Sequence, residues 1–306
     1  VLKPVIAQCK KDVKGGMSLT DAFSKHPNVF SRLYVNMVKA AETGGILDKI
    51  LDRLATFLET EQEVRSKIKS AMIYPILVLI FAFLMVVALF LFVLPKFKEI
   101  FDSMSVELPA ATRMLFGIST VMRSYWYIGL TVGIGGYLAY KWYSKTDTGA
   151  WQIDMMKLKV PVVGELVQKM SISRFSRTFA TLIHSGVPMM RSLEIVAETS
   201  GNRVISHAID SARNAIREGQ KISAPLAQSG LFPQMVTHMI DVGEETGRLS
   251  EMLTKVSDFY DQEVENAVKA LTSLIEPCLI VVMGGIVGFI AISIMAPIFK
   301  LISAVG

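Results

Sequence analysis

Cysteine is nearly absent. The 306 residues contain two, Cys9 and Cys278, which supply neither a disulfide framework nor metal-ligand spacing. Histidine is equally sparse, and His26, His184, His207 and His238 stand singly without the paired spacing of a metal site, so no metal is expected. No glycine-rich loop ends in Lys followed by Ser or Thr, which excludes a nucleotide motor built on a phosphate-cradling loop. Serine, cysteine and threonine lack a nucleophile elbow, and the apolar segments contain no aspartate for an intramembrane aspartyl peptidase. We therefore expect no catalytic residues, no cofactor and no enzyme. Charge is scarce, at 19% of residues, and no run alternates with period two, so no sheet is expected. Residues 1 to 16 are amphipathic and basic and lack the apolar core of a cleavable signal peptide.

What is abundant is apolar surface, in 51% of residues, and it is arranged twice over. A shift of 202 residues superposes Phe30 on Phe232, Met37 on Met239, Glu42 on Glu244, Gly45 on Gly247, Leu51 on Leu253 and Phe57 on Phe259. The register continues through Glu61 and Glu263, Lys67 and Lys269, and Pro75 and Pro277, to Pro95-Lys96-Phe97-Lys98 and Pro297-Ile298-Phe299-Lys300. One register held across apolar and polar positions alike implies an internal duplication. Each copy joins a polar helical bundle to one apolar segment. The second copy has a stretch, Ser171 to Gly201, with no counterpart before Val1. The first bundle is thus expected to lack its leading helix pair.

Three segments are read as membrane spans, at 71–95, 124–140 and 277–299, since a crossing needs about 20 apolar residues. The middle one is short and glycine-rich, but Tyr125, Trp126 and Tyr127 on one side and Tyr140, Trp142 and Tyr143 on the other resemble interfacial aromatic belts. Arg65, Lys67 and Lys69 precede the first span, which places the opening domain in the cytoplasm. The expected order is a first cytoplasmic bundle over 1–70, an extracytoplasmic connection over 96–123, a second cytoplasmic bundle over 141–276, complete from about 171, and a short extracytoplasmic end over 300–306. A net charge of +5 suits membrane flanks, anionic headgroups and an acidic protein partner, with no nucleic acid expected.

Punctuation marks the helices of the second bundle. One helix covers Ser171 to Ser185 and ends at Gly186; Pro188 opens the next, to Ser200-Gly201. A third covers 203 to 218, a short turn follows from Ile222 to Gln228, and a further helix over Pro233 to Asp241 stops near Gly243 and Gly247. Ser18-Leu19-Thr20-Asp21 in the first copy has the pattern of a capping box. From Leu47 to Leu94, and from Leu249 into the third span, only Pro75 or Pro277 interrupts the run at the membrane boundary. An unbroken helix over Leu47–Leu94 would extend about 70 Å, with a bend expected where proline removes a hydrogen bond.

These residues resemble a known family. Arg174-Phe175-Ser176-Arg177-Thr178-Phe179, Leu182, Ser185-Gly186-Val187-Pro188, Glu244, Gly247-Arg248-Leu249 and Glu276-Pro277 look like the second repeat of the type II secretion F family. Leu108-Pro109-Ala110-Ala111-Thr112-Arg113 and Val160-Pro161-Val162-Val163-Gly164 resemble its middle segment. The resemblance implies an all-α polytopic protein of the inner membrane, with two homologous cytoplasmic bundles of up to six helices each and three spans. It implies a non-enzymatic platform in a type IV pilus or type II secretion machine. The implied partners are a hexameric cytoplasmic assembly or retraction ATPase, pilin or pseudopilin subunits, other inner-membrane alignment proteins, the lipid bilayer, and a second copy in a dimer or small oligomer. The alternative is a membrane subunit of a small-molecule permease, a class in which internal repeats are common.

On this reading, Glu42, Glu61, Glu244, Glu245 and Glu263 are candidates for a motor-docking or bundle-interface face, against the plainer role of solvated helix acids. Arg174 and Arg177, three apart, are expected to clamp Glu244 or Glu245 within the bundle or to reach the motor. Pro75, Glu276 and Pro277 are candidate joints of the long helices, Glu276 because an acid at the edge of lipid is costly unless solvated or paired. Gly129, Gly133, Gly284 and Gly288 form small-residue faces for span packing, expected within one chain before between chains.

Overall fold

The computed structural model describes residues 2–45, 47–103 and 108–305, and among them every regular element is helical. The first copy contributes α1 (Leu2–Lys14), α2 (Leu19–Ser24), α3 (Arg32–Gly44) and α4 (Leu47–Ala88). A π-helical turn (Leu89–Val93), α5 (Leu94–Ser103) and α6 (Ala110–Tyr143) follow. The second copy is α7 (Asp147–Lys159), α8 (Val163–His184), α9 (Met189–Thr199), α10 (Arg203–Arg217), α11 (Ser223–Gln228), α12 (Gln234–Glu245) and α13 (Leu249–Val305). The chain divides into two compact units, one of residues 1–68 with 147–267 and one of 69–146 with 268–306.

Local chemistry fixes the helix ends. Ser18 Oγ accepts from the Asp21 N–H and opens α2, Ser31 does the same for Tyr34 in α3, and Asn202 caps α10 through the N–H groups of Val204 and Ile205. Gly45 and Gly247, partners in the repeat, both adopt left-handed backbone (φ 66° and 70°) between a short helix and a long one. There a side chain would be strained, and glycine is not.

Several expected boundaries move. The helix expected from Ser171 begins at Val163, because Val162 adopts φ 68° and ψ −51° and the Val163 N–H donates to the Pro161 carbonyl at 2.8 Å. This three-residue turn reverses the chain between α7 and α8 in the least space available. Ile222 to Gln228 ends in a short helix and not a bare turn. Gly243 lies inside α12 and does not stop it: a Cβ there would stand 2.9 Å from Leu249 Cα, so the missing side chain lets α12 and α13 approach. The unbroken helix over Leu47–Leu94 is also corrected. The α-helix ends at Ala88 and the π turn intervenes before Leu94, next to Pro95.

The larger unit has a main core shared by both copies, beside a smaller cluster of Cys9, Ala22 and Phe30 in the first copy. Phe175, Phe179 and Leu193 of the second copy lie in it with Met37, Ile50 and Leu54 of the first. Each buried Phe or Leu contributes about 2–3 kcal/mol by burial. Polar contacts also link the copies: Arg191 donates to Asn36 Oδ1 at 3.1 Å, Arg53 to the His184 carbonyl at 2.7 Å, and Arg32 pairs with Glu198. The copies differ at α1. Leu2 and Ile6 are half exposed, whereas Val204 and Ala208, which match them in α10, are buried where α9 packs on α10.

The second unit has its own core, of Phe90, Leu94, Phe101, Leu115, Phe116 and Ile290. The connection expected over 96–123 is therefore largely helical and packed against the apolar segments, with residues 104–107 outside the described set. Two described helical runs are long and apolar enough to cross a bilayer, Leu47–Ser103 and Leu249–Phe299. Residues 124–140 are helical too, but aromatics and glycines dilute their hydropathy. A break in helical geometry at Tyr125 (φ −122°, ψ 20°) divides α6 into a packed first half and a second half that is exposed on all sides.

Candidate functional site

The candidate acids fall into two groups with different surroundings. Glu42 accepts from the Leu19 N–H at 2.6 Å, the Thr20 N–H at 3.2 Å and the Thr20 hydroxyl at 2.6 Å. Glu244 accepts from the Ile222 N–H at 2.9 Å. Thr20 and Ile222 are 202 apart, as are Glu42 and Glu244, so the same carboxylate-to-backbone bond is made in both copies. Each acid satisfies an N–H at the start of a short helix, where the helix dipole favours negative charge. The Thr20 hydroxyl first, and the two N–H groups with it, hold the Glu42 carboxyl below its ordinary range. Glu245 pairs with Lys221 at 2.5 Å, and Lys221 also reaches Asp241 at 3.4 Å.

The second group lies where α8 faces α4 and α13. Lys169, Ser173 and Arg177 are spaced four apart on α8 and form one stripe. Lys169 bridges Glu165 at 2.7 Å and Glu263 at 2.8 Å, Ser173 donates to Asp261, and Arg177 pairs with Asp261. Lys169 in turn holds the Glu263 carboxyl below its ordinary range. Arg177 is largely buried; desolvation pulls its guanidinium down from its usual value, and the charges of Asp258, Glu61 and Glu63 push it back. On α4, Glu63 pairs with Lys67 at 3.0 Å. Two acidic runs, one on each long helix, thus meet over cations supplied by α8.

The expected clamp of Arg174 or Arg177 on Glu244 or Glu245 is not formed. Those glutamates face the α11 end of the bundle, and Arg177 turns to α13. Arg174 lays its guanidinium against Gly201, where any side chain would collide with it. Beside Arg177 lies an open cleft of about 400 Å³ between α4, α8 and α13, lined by Arg53, Thr60, His184, Ser257 and Asp258 among others. Its hydroxyls are committed to carbonyls of their own helices, as Thr60 is to Thr56 and Ser257 to Thr254.

The candidate joints are placed unequally. Pro75 and Pro277 both lie inside helices, Pro75 buried and Pro277 exposed, and Glu276 is exposed beside it. None of Gly129, Gly133, Gly284 and Gly288 has a heavy atom within 4 Å of where a Cβ would stand. Packing of these faces within the chain, the expected first choice, is therefore not found: the helices of the second unit meet instead through the bulky side chains of its core. No cluster of three metal-ligating side chains occurs among the described residues.

Comparison with known proteins accounts for the doubled architecture. The family model for type II secretion system protein F matches the chain in two stretches, 1–95 and 175–297. The chain belongs to the type II secretion system protein F family. Both matches end on repeat-equivalent prolines, Pro95 and Pro297, so the family unit coincides with the duplicated unit. Among its relatives, the type IV pilus assembly protein PilC of Thermus thermophilus is 44% identical over 99% of this chain and 75% of its own length. TapC of Aeromonas hydrophila, also a type IV pilus assembly protein, is 38% identical over 100% and 74%. The type II secretion system protein F of Vibrio cholerae is 32% identical over 98% and 74%. The structure thus supplies this family's doubled unit with helical geometry: each matched stretch holds one of the two long apolar helical runs.

Proposed function

We propose that this protein is a non-enzymatic inner-membrane platform of a type IV pilus or type II secretion machine, which couples a cytoplasmic assembly ATPase to the insertion or extraction of pilin subunits. The observation that carries this reading is the doubled family match, with each copy continuing from a polar bundle into a long apolar helix. In this reading the bundles over 1–70 and 141–276 lie in the cytoplasm, 124–140 makes a third crossing, and 96–123 lies outside. The relatives' names concern pilus assembly and type II secretion, not small-molecule permeation.

The coupling follows from helix mechanics. A helix shared by a bundle and a span cannot be displaced at one end and stay still at the other unless it breaks between them. The motor is proposed to dock on the acid-rich α4 and α13 faces around Glu61 and Glu263. Glu42 and Glu244, committed to backbone N–H groups, and Glu245, paired with Lys221, keep the bundle in shape beside them. Pilins, alignment proteins and a second copy are the proposed partners in the membrane, with Gly129 and Gly133 free for the last.

Site-specific photocrosslinking in the native host tests the docking. A crosslinking residue at position 61 or 263 of the full chain is expected to capture the assembly ATPase in cells with working machines. Capture from position 218, the exposed residue that follows α10, but from neither of these would overturn the assignment of this face.

A further inference from the structure

Pro95 and Pro297 are the same residue of the repeat, and each sits in the helical run that continues an apolar segment. Proline has no N–H, so each leaves one carbonyl of the preceding turn without its helical donor. In α13, with donors four residues ahead, that carbonyl belongs to Ser293. In the first copy the π turn stretches the ladder to five: the Leu94 N–H donates to the Leu89 carbonyl, and the next donor would be residue 95 for the carbonyl of Phe90.

Both stranded carbonyls receive a hydroxyl, and both hydroxyls come from α6. Thr112 Oγ1 donates to the Ser293 carbonyl at 2.6 Å, and Ser119 Oγ donates to the Phe90 carbonyl at 2.6 Å. Thr112, Ser119 and Ser293 are at most 4% exposed, so water does not make these bonds. Seven residues separate the two donors, two helical turns on one face, with Leu115 and Phe116 between them in the same core. Threonine in a helix ordinarily returns its hydroxyl to a carbonyl of its own preceding turn, as Thr120 and Thr131 of α6 do. Thr112 and Ser119 reach across instead.

We propose that the first half of α6 is a clasp, whose two hydroxyls replace the donors that Pro95 and Pro297 lack and so tie the two repeat-related apolar helices together at their proline joints. The clasp is a product of the duplication. A proline repeated in both copies creates two like vacancies, and one linking helix fills both. A buried carbonyl without a donor is costly, so the joints are stable only while α6 is seated. The inference concerns how the apolar helices are held and does not depend on the machine the protein serves.

A mutant cycle on the full chain in nanodiscs tests it, with thermal unfolding as the measurement. Thr112→Val removes the hydroxyl at constant shape and is expected to lower the midpoint by about 2–4 °C. In a Pro297→Ala background, where the Ser293 carbonyl regains a backbone donor, the same substitution is expected to cost nothing, whereas Pro95→Ala should not relieve it. Ser119→Ala should follow the converse rule, relieved by Pro95→Ala and not by Pro297→Ala. Equal loss from Thr112→Val with and without Pro297 would overturn the clasp. If Thr112→Val does not fold, Thr112→Ser must hold the wild-type midpoint, and a midpoint lowered by several degrees in that variant contradicts the proposal equally.

Discussion

At the scale of single residues, charge in this protein is spent on shaping helix ends and on relieving like charges. Glu42 and Glu244 each meet backbone N–H groups, so Glu42→Gln and Glu244→Gln should each destabilise the full chain by about 1 kcal/mol at neutral pH, read by denaturant titration in detergent. The Glu42 carboxyl is held low in the folded state, so its share of stability is complete above the unfolded carboxylate value near 4.3 and is lost as the pH falls through the folded value. The Glu42→Gln difference should therefore shrink in acid. Arg177→Ala should cost about 3 kcal/mol, because Asp261 is left partly buried beside Asp258 without its cation. Asp261→Asn, combined with it, should cost much less than the sum. The sequence revealed that Glu42 and Glu244 correspond but not what they hold, because a bond between residues 22 apart depends on a fold in three dimensions. Arg177 was legible as a candidate and its partner was not, since α13 comes to α8 only when the bundle closes.

At the scale of elements, the sequence marks helix ends well wherever the end's own residue carries the signal, as a capping side chain or a left-handed glycine. Ser18, Gly186 and Gly247 all stand at or beside ends they announce. It marked them poorly where a contact from elsewhere decides. Gly243 reads as a stop in a string of letters, but in the bundle it is the place where α12 touches α13. Gly243→Ala should leave the helix content measured by circular dichroism unchanged and still lower stability by about 1–3 kcal/mol, since the added methyl meets backbone that cannot turn aside. Loss of helix content on that substitution would show that the glycine acts on its own helix. The packed first half of α6 is hard to read in the sequence for a similar reason. Thr112, Leu115, Phe116 and Ser119 do repeat at helical spacing, but they lie in a stretch that charge placed outside the membrane as a mere connection.

At the scale of the whole molecule, duplication is the fact from which the rest follows. It produced two long helical runs with apolar portions, two acidic stretches on those helices, two capped short helices and two prolines with stranded carbonyls. It did not produce two equal halves. The main core is shared by both copies, and α8 supplies cations to the acids of both. The proposal of force transmission needs α4 and α13 to stay stiff where they leave the bundle, between residues 68 and 69 and between 267 and 268. The direct measurement is pilus assembly or secretion by cells carrying a flexible Gly-Gly-Ser insertion at each of these points, with membrane level and ATPase capture scored alongside. The account predicts that the protein is present and captured at wild-type levels while assembly or secretion is lost; undiminished assembly with both helices interrupted would contradict it.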